Sequence, residues 1–148
     1  MKIRLRLSPQ NREKVLEEFT KFGIEISDEA EFVLIEEETE ATFLLCKNKD
    51  EIHQIYTDEI VYIESLGRDI LVHTMDMVFK STERLYRLEQ ILQGDKFLRI
   101  SNSIIISKNK IKKLKPTLSS KFIVTMCNGD FVDVTRTYYY KFKESFGI

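Results

Sequence analysis

The chain has 148 residues, 43% hydrophobic and 32% charged, with a formal net charge of -1. That composition is globular and fits one ordinary domain, or a small domain with an appendage. No apolar run approaches the roughly 18 residues a bilayer crossing needs, and the charged start Met1-Lys2-Ile3-Arg4 lacks the apolar core and cleavage site of a signal peptide, so a cytoplasmic protein is expected.

In chain order, residues 2–7 alternate, with Lys2, Arg4 and Arg6 on one face and Ile3, Leu5 and Leu7 on the other. That is the period of a half-buried strand. Ser8-Pro9 reads as a helix cap followed by proline in the first turn. Val15, Leu16, Phe19 and Phe22 fall on one helical face, and Gly23 is the stop. Residues 31–35 suggest a second strand, and residues 36–40 an acidic, solvated linker. Residues 1–40 are therefore expected to be a small β-α-β appendage, open either to a homodimer contact or to packing within the chain.

From Ala41 the pattern changes to short strands at close spacing, expected as a separate domain over 41–148. Strands are predicted at 43–46, 51–56, 60–64, 70–74 and 77–79, with a hairpin turn at Gly67-Arg68-Asp69. One amphipathic helix follows, with Leu85, Leu88, Ile91 and Leu92 on one face and Gly94 at its end. Further strands fall at 104–107, 111–114, 122–126 and 131–134. The last two are joined at Asn128-Gly129, a strong hairpin signal. A short helix is expected in the tail, 135–146. The predicted class is mainly β with α: a run of hairpins with one amphipathic helix, plus the appendage.

The charge is segregated. Residues 101–148 carry 9 basic and 3 acidic residues, +6, whereas the two preceding thirds are both net negative. From Lys96 to Gly129 there is no acidic residue, against Lys96, Arg99, Lys108, Lys110, Lys112, Lys113, Lys115 and Lys121. Polyanions respond to local potential, so this third is the candidate nucleic-acid surface.

Enzyme motifs are absent. The 5 glycines form no phosphate loop, and 2 histidines, His53 and His73, cannot build a catalytic or metal cluster. Both are read as packed or surface residues. Cys46 and Cys127 fit no metal spacing and are expected to be buried, reduced thiols. No enzyme activity, metal or cofactor is expected.

Polar residues punctuate the apolar strands on the basic side: Arg99, Ser101, Asn102 and Ser103, then Ser107, Lys108 and Asn109, then Arg136. Arg pairs with the guanine edge and Asn with the adenine edge, while Lys and Ser suit phosphate oxygens. The same residues would also serve plain turns, with lysines keeping an edge strand soluble. Spacing alone leaves both readings open. Few aromatics interrupt the basic stretch, only Phe97 and Phe122, which disfavours single-stranded RNA.

Three segments decide. Residues 58–65 (DEIVYIES), 97–107 (FLRISNSIIIS) and 128–136 (NGDFVDVTR) resemble, in order and interval, the LytTR-type DNA-binding domain of bacterial transcription regulators. The resemblance covers about residues 41–148. It implies an elongated arrangement of short antiparallel sheets, and a response-regulator-like output domain that reads promoter DNA, commonly at direct repeats, through loops in successive major grooves. Asn102 falls at the family's base-contacting position after Phe-x-Arg, and Arg136 at its late base-contacting arginine. Arg68 is the choice in the first reading loop. Ser101, Ser103, Ser107, Lys108, Asn109, Lys110 and Lys112 are the expected DNA-backbone contacts. Many members carry His where Ser101 stands, Asn where Ser107 stands and Ser where Thr135 stands, which bears on sequence preference. Residues 1–40 show no acidic phosphorylation pocket of a receiver domain, so a free-standing regulator is expected. By resemblance only, such members pair with a membrane-protein antagonist. The alternative is a protein-interaction module that binds an acidic partner through the basic edge.

Overall fold

The computed structural model describes residues 1–36, 42–92 and 95–148. The chain forms two compact units, Met1–Thr39 and Glu40–Ile148.

In the N-terminal unit, β1 (Lys2–Arg6) is followed by α1 (Pro9–Lys21), β2 (Glu25–Ile26) and β3 (Phe32–Ile35). The sheet order is β2-β1-β3, and both pairings are parallel. Parallel neighbours need a crossover, which α1 supplies between β1 and β2. The unit is thus β-α-β-β rather than β-α-β. Two residues of β2 are too few to show an alternation. Phe22 does not join the inner helical face. The helix ends at Lys21, the chain leaves the helical path, and Phe22 is 74% exposed.

Ser8 stands at the N-cap with Pro9 behind it, yet its hydroxyl makes no capping bond. Glu36 acts there instead. Its Oε2 accepts the Ser8 N–H at 2.8 Å, and its Oε1 accepts the Asn11 amide. These bonds, the Ser8 backbone bond first, hold the Glu36 carboxyl below its usual range. Glu36 is therefore a helix-terminus clamp and not a free linker residue. The rest of the expected linker, 37–40, and Gly94 lie outside the described residues.

The second unit is built on a seven-stranded antiparallel sheet in the order β5-β4-β8-β7-β6-β10-β9. Its strands are β4 (Phe43–Asn48), β5 (Glu51–Tyr56), β6 (Tyr62–Leu66), β7 (Asp69–His73), β8 (Val78–Ser81), β9 (Phe97–Arg99) and β10 (Ile104–Ser107). A second sheet has the order β11-β12-β13, from β11 (Ile111–Pro116), β12 (Phe122–Met126) and β13 (Phe131–Val134). The helices are α2 (Leu85–Ile91) and α3 (Tyr139–Phe146).

The pleat sorts the side chains into two cores. Ile63, Ile70, Val72, Phe79 and Ile105 pack with Leu85, Leu88 and Leu92 of the α2 segment. Their strand neighbours Tyr62, Leu98 and Ile106 point the other way and pack with Phe122, Val124, Met126, Val132, Val134 and Phe142. The β6-β10-β9 end of the large sheet is therefore covered on both faces, by α2 on one and by the small sheet with α3 on the other.

One carboxylate helps join the two sheets. Asp130 Oδ2 accepts the Tyr62 hydroxyl at 2.9 Å and the Asn128 amide at 3.0 Å. His73 stacks on Tyr62 with ring centroids 4.1 Å apart and meets Glu64 Oε1 at 2.8 Å, so it is a packed residue. Burial first, then the Asp130 bond and the Glu64 charge, push the Tyr62 phenol far above its ordinary range. Glu59 orients the turn before β6 by accepting the Tyr56 N–H at 2.9 Å. The cysteines differ: Cys46 is buried, its thiol pushed up to about 11 by burial, but Cys127 is exposed, which corrects the expectation for it. Cys127 sits just past the end of β12, beside the Asn128-Gly129 turn, where its N–H donates to the Lys110 carbonyl at 2.7 Å while its side chain stays exposed.

Candidate nucleic-acid interface

The register brings the candidate base readers to one end of the second unit. β10 and β6 are antiparallel, with Ile104 opposite Glu64, and the Ser65 N–H donates to the Ser103 carbonyl at 2.8 Å. The turn entering β10, which holds Asn102, thus lies at the same sheet end as the Gly67-Arg68 tip that leaves β6. β13 arrives there too. The Thr135 N–H donates to the Ile100 carbonyl at 3.0 Å, so Arg136, the next residue, starts its 3-10 turn beside the Asn102 turn. Asn102, Arg136 and Arg68 are all exposed.

The Asn102 turn is held by several groups. Ile100 is fully buried beneath it. The Ser103 N–H donates to Ser101 Oγ at 3.1 Å. The Arg99 guanidinium reaches three acceptors: Nε donates to the Ser101 carbonyl at 2.7 Å, Nη2 to the Asn102 carbonyl at 2.5 Å, and Nη1 to Glu89 Oε2 at 2.6 Å. The Tyr138 hydroxyl donates to Asn102 Oδ1 at 3.3 Å. The Asn102 amide nitrogen has no partner among the described residues. The amide faces solvent with one lone pair and both N–H groups to offer, which is what adenine-edge readout uses.

The Gly67-Arg68 turn is simpler. Leu66 pairs with Asp69, so two residues close the hairpin, and Gly67 supplies the positive φ of 61° such a tight closure requires. Arg68 has no side-chain partner among the described residues.

The expected backbone contacts divide. Ser101 and Ser107 are each only 5% exposed, the Ser101 hydroxyl serving the turn and Ser107 sitting in the sheet. Ser103 is half-buried and keeps its hydroxyl near Ser101 Oγ, at 3.3 Å. Lys108, Asn109 and Lys110 form a 3-10 turn at the opposite end of β10 from Asn102. Lys108 is turned inward, donating to the Ser145 carbonyl at 3.3 Å with its ammonium 4.9 Å from the Phe146 ring centroid. Lys110 borders a cleft with Asp58, Glu59 and Asp76, which lowers the local positive potential. Asn109 and Lys112 are exposed.

The lysines that the sequence offers only as a run acquire positions on β11, the edge strand of the small sheet. A bulge between Ile111 and Lys113 leaves both Lys112 and Lys113 outward, and Lys115 follows. Pro116 pairs with Phe122, which pairs with Val134, so Lys115 and Lys121 lie at the end of the sheet where β13 runs into Arg136. Sequence reasoning did not separate these two from the rest. It also missed Tyr138, Glu89 and the inward role of Arg99. Their partners lie 36 residues away for Tyr138 and 10 for Arg99, beyond any local spacing signal.

Among the described residues there is no cluster of acidic, His or Cys side chains able to hold a metal ion, and no helix long and apolar enough to cross a membrane.

Known proteins match the same strands and turns. The Staphylococcus aureus transcriptional regulatory protein LytR is 30% identical over 99 residues, 67% of this chain and 40% of that protein. The Enterococcus faecalis sensory transduction protein LytT is 25% identical over 142 residues, 96% of this chain and 59% of that protein. The chain thus spans less than two thirds of the length of either. A solved LytTr DNA-binding domain of a Bacillus cereus response regulator superposes with a TM-score of 0.70 at 25% identity, covering 73% of this chain and 99% of that domain. The family profile described as the LytTr DNA-binding domain matches residues 50–147, which hold every strand and turn of the candidate interface. With that match over more than half its length, the chain belongs to the LytTr DNA-binding domain family.

Proposed function

We propose that this chain is a sequence-specific transcription regulator that reads promoter double-stranded DNA through loops placed in the major groove. Asn102 and Arg136 are the principal base readers, with Arg68 at the neighbouring tip. Lys112, Lys113, Lys115 and Lys121 supply electrostatic capture, and Ser103 and Asn109 add backbone contacts. The observation that supports this reading is the convergence of three exposed polar side chains, Arg68, Asn102 and Arg136, on one end of the β scaffold. Capture should be salt-dependent and indifferent to sequence, while readout should be neither.

Selection of bound fragments from the organism's own DNA, followed by titration of a selected fragment in excess competitor DNA, tests the proposal. Binding that survives competitor supports it. Binding lost equally to any DNA overturns it and favours the second reading, an acidic protein partner docked on the exposed lysine edge of β11. Unit 1 exposes Phe22, Phe32 and Ile35, which favours a homodimer contact there. Sedimentation of the whole chain beside a Phe22→Ser, Phe32→Ser variant tests that part: an unchanged oligomeric state removes it.

A further inference from the structure

We infer that Arg99 and Glu89 are positioning residues that set the sequence preference of Asn102 without touching DNA; the inference rests on the base-reading role proposed for Asn102. Arg99 lies in the acid-free run and by sequence belongs with the phosphate-binding cations. Its geometry contradicts that. The side chain is only 13% exposed, and all three of its nitrogens donate within the protein, to two successive carbonyls of the turn and to Glu89.

A planar guanidinium can span two neighbouring carbonyls and a carboxylate at once; an ammonium, a point charge on a flexible stem, cannot hold that fork. Glu89 cancels the charge and ties the guanidinium to α2, whose inner residues Leu85 and Leu88 are buried in the core. The turn backbone is thereby referenced to the core and not merely to its own hydrogen bonds.

Packing alone would not keep Arg99 there. A cleft of about 520 Å³ lies beside the pair, lined by Tyr86, Gln90, Leu92, Phe97 and Lys141 among others. A guanidinium released from Glu89 has room to swing into it. Bonds, not steric confinement, therefore fix the carbonyl of Asn102, and through it the aim of the amide. Base readout tolerates little misalignment, because both amide bonds to adenine must form together.

The test measures affinity for a selected operator and for random DNA across a salt series. The proteins are the full chain and its variants Arg99→Gln, Arg99→Lys, Glu89→Gln, Asn102→Ala and the double variant Arg99→Gln/Asn102→Ala. Arg99→Gln is expected to lose about tenfold in operator affinity, with random-DNA affinity and the salt slope unchanged. Arg99→Lys should fail to rescue, and Glu89→Gln should show the same loss in weaker form. In the Asn102→Ala background, Arg99→Gln should cost less than about twofold, since the residue it positions is gone. Equal losses on both DNAs with the slope reduced by about 0.9 would make Arg99 a phosphate contact and overturn the inference. So would additive losses in the double variant. If Arg99→Gln melts below the assay temperature, Glu89→Gln alone decides, by operator loss or its absence. A wild-type chain that fails to discriminate operator from random DNA would instead overturn the functional reading itself.

Discussion

Two turns stand side by side at the proposed reading end of the second unit, and they are held in opposite ways. The Ser101–Ser103 turn is bonded from behind by Arg99, from within by Ser101 and from the flank by Tyr138. The Gly67-Arg68 tip is closed by one strand pair and a glycine at positive φ, and Arg68 reaches no other side chain among the described residues. In the proposed complex the first turn would meet DNA with its ordering cost already met by folding. The second must order its arginine on contact, at a cost of up to about 2 kcal/mol of side-chain entropy. Discrimination should therefore concentrate at Asn102, whose turn is held in advance, and Arg68 should contribute adaptable affinity.

The sharpest break of that contrast comes from Asn102→Ala and Arg136→Ala. Each should cost roughly 1–3 kcal/mol of discrimination between operator and a one-base variant, read by gel shift, and Arg68→Ala less. If Arg68→Ala cost as much as Asn102→Ala, preorganisation would not be what separates the turns. Next comes Gly67→Ala, which places a side chain at a φ of 61° and should lower stability by about 1–2 kcal/mol in urea unfolding. Open space surrounds the added Cβ, so backbone strain and not collision is the cause. Tyr138→Phe should remove about 0.5–1.5 kcal/mol of operator preference while leaving random-DNA binding alone. Smallest in specificity is Lys115→Ala. It should weaken binding to every sequence alike and reduce the slope of log K against log salt by about 0.9.

Much of the scaffold is legible from local pattern. β10, β12 and β13 fall where alternation and the Asn128-Gly129 turn place them, because neighbouring residues alone decide those features. β2 is not legible, since a two-residue strand has no period. The site is harder. Asn102 and Arg136 can be nominated by family likeness, but residue type does not reveal that Ser101 and Ser107 are buried. Nor does it reveal that Lys108 donates to the Ser145 carbonyl or that the charge of Arg99 is paired with Glu89. A cation in an acid-free run looks free only until the chain brings back a partner from another element. The bulge that turns Lys112 outward is equally invisible, being a property of two paired strands.

The unequal cysteines have a practical consequence. Cys46 is sealed and holds its proton to about 11, so a maleimide near neutral pH meets only the thiol of Cys127. That thiol follows Met126, at the end of β12 remote from Phe122, and so stands away from the edge where Arg136 begins. The unaltered chain can carry a single dye there, beside Lys110 and at the far end of the sheet from Arg136, and its fluorescence anisotropy would follow complex formation.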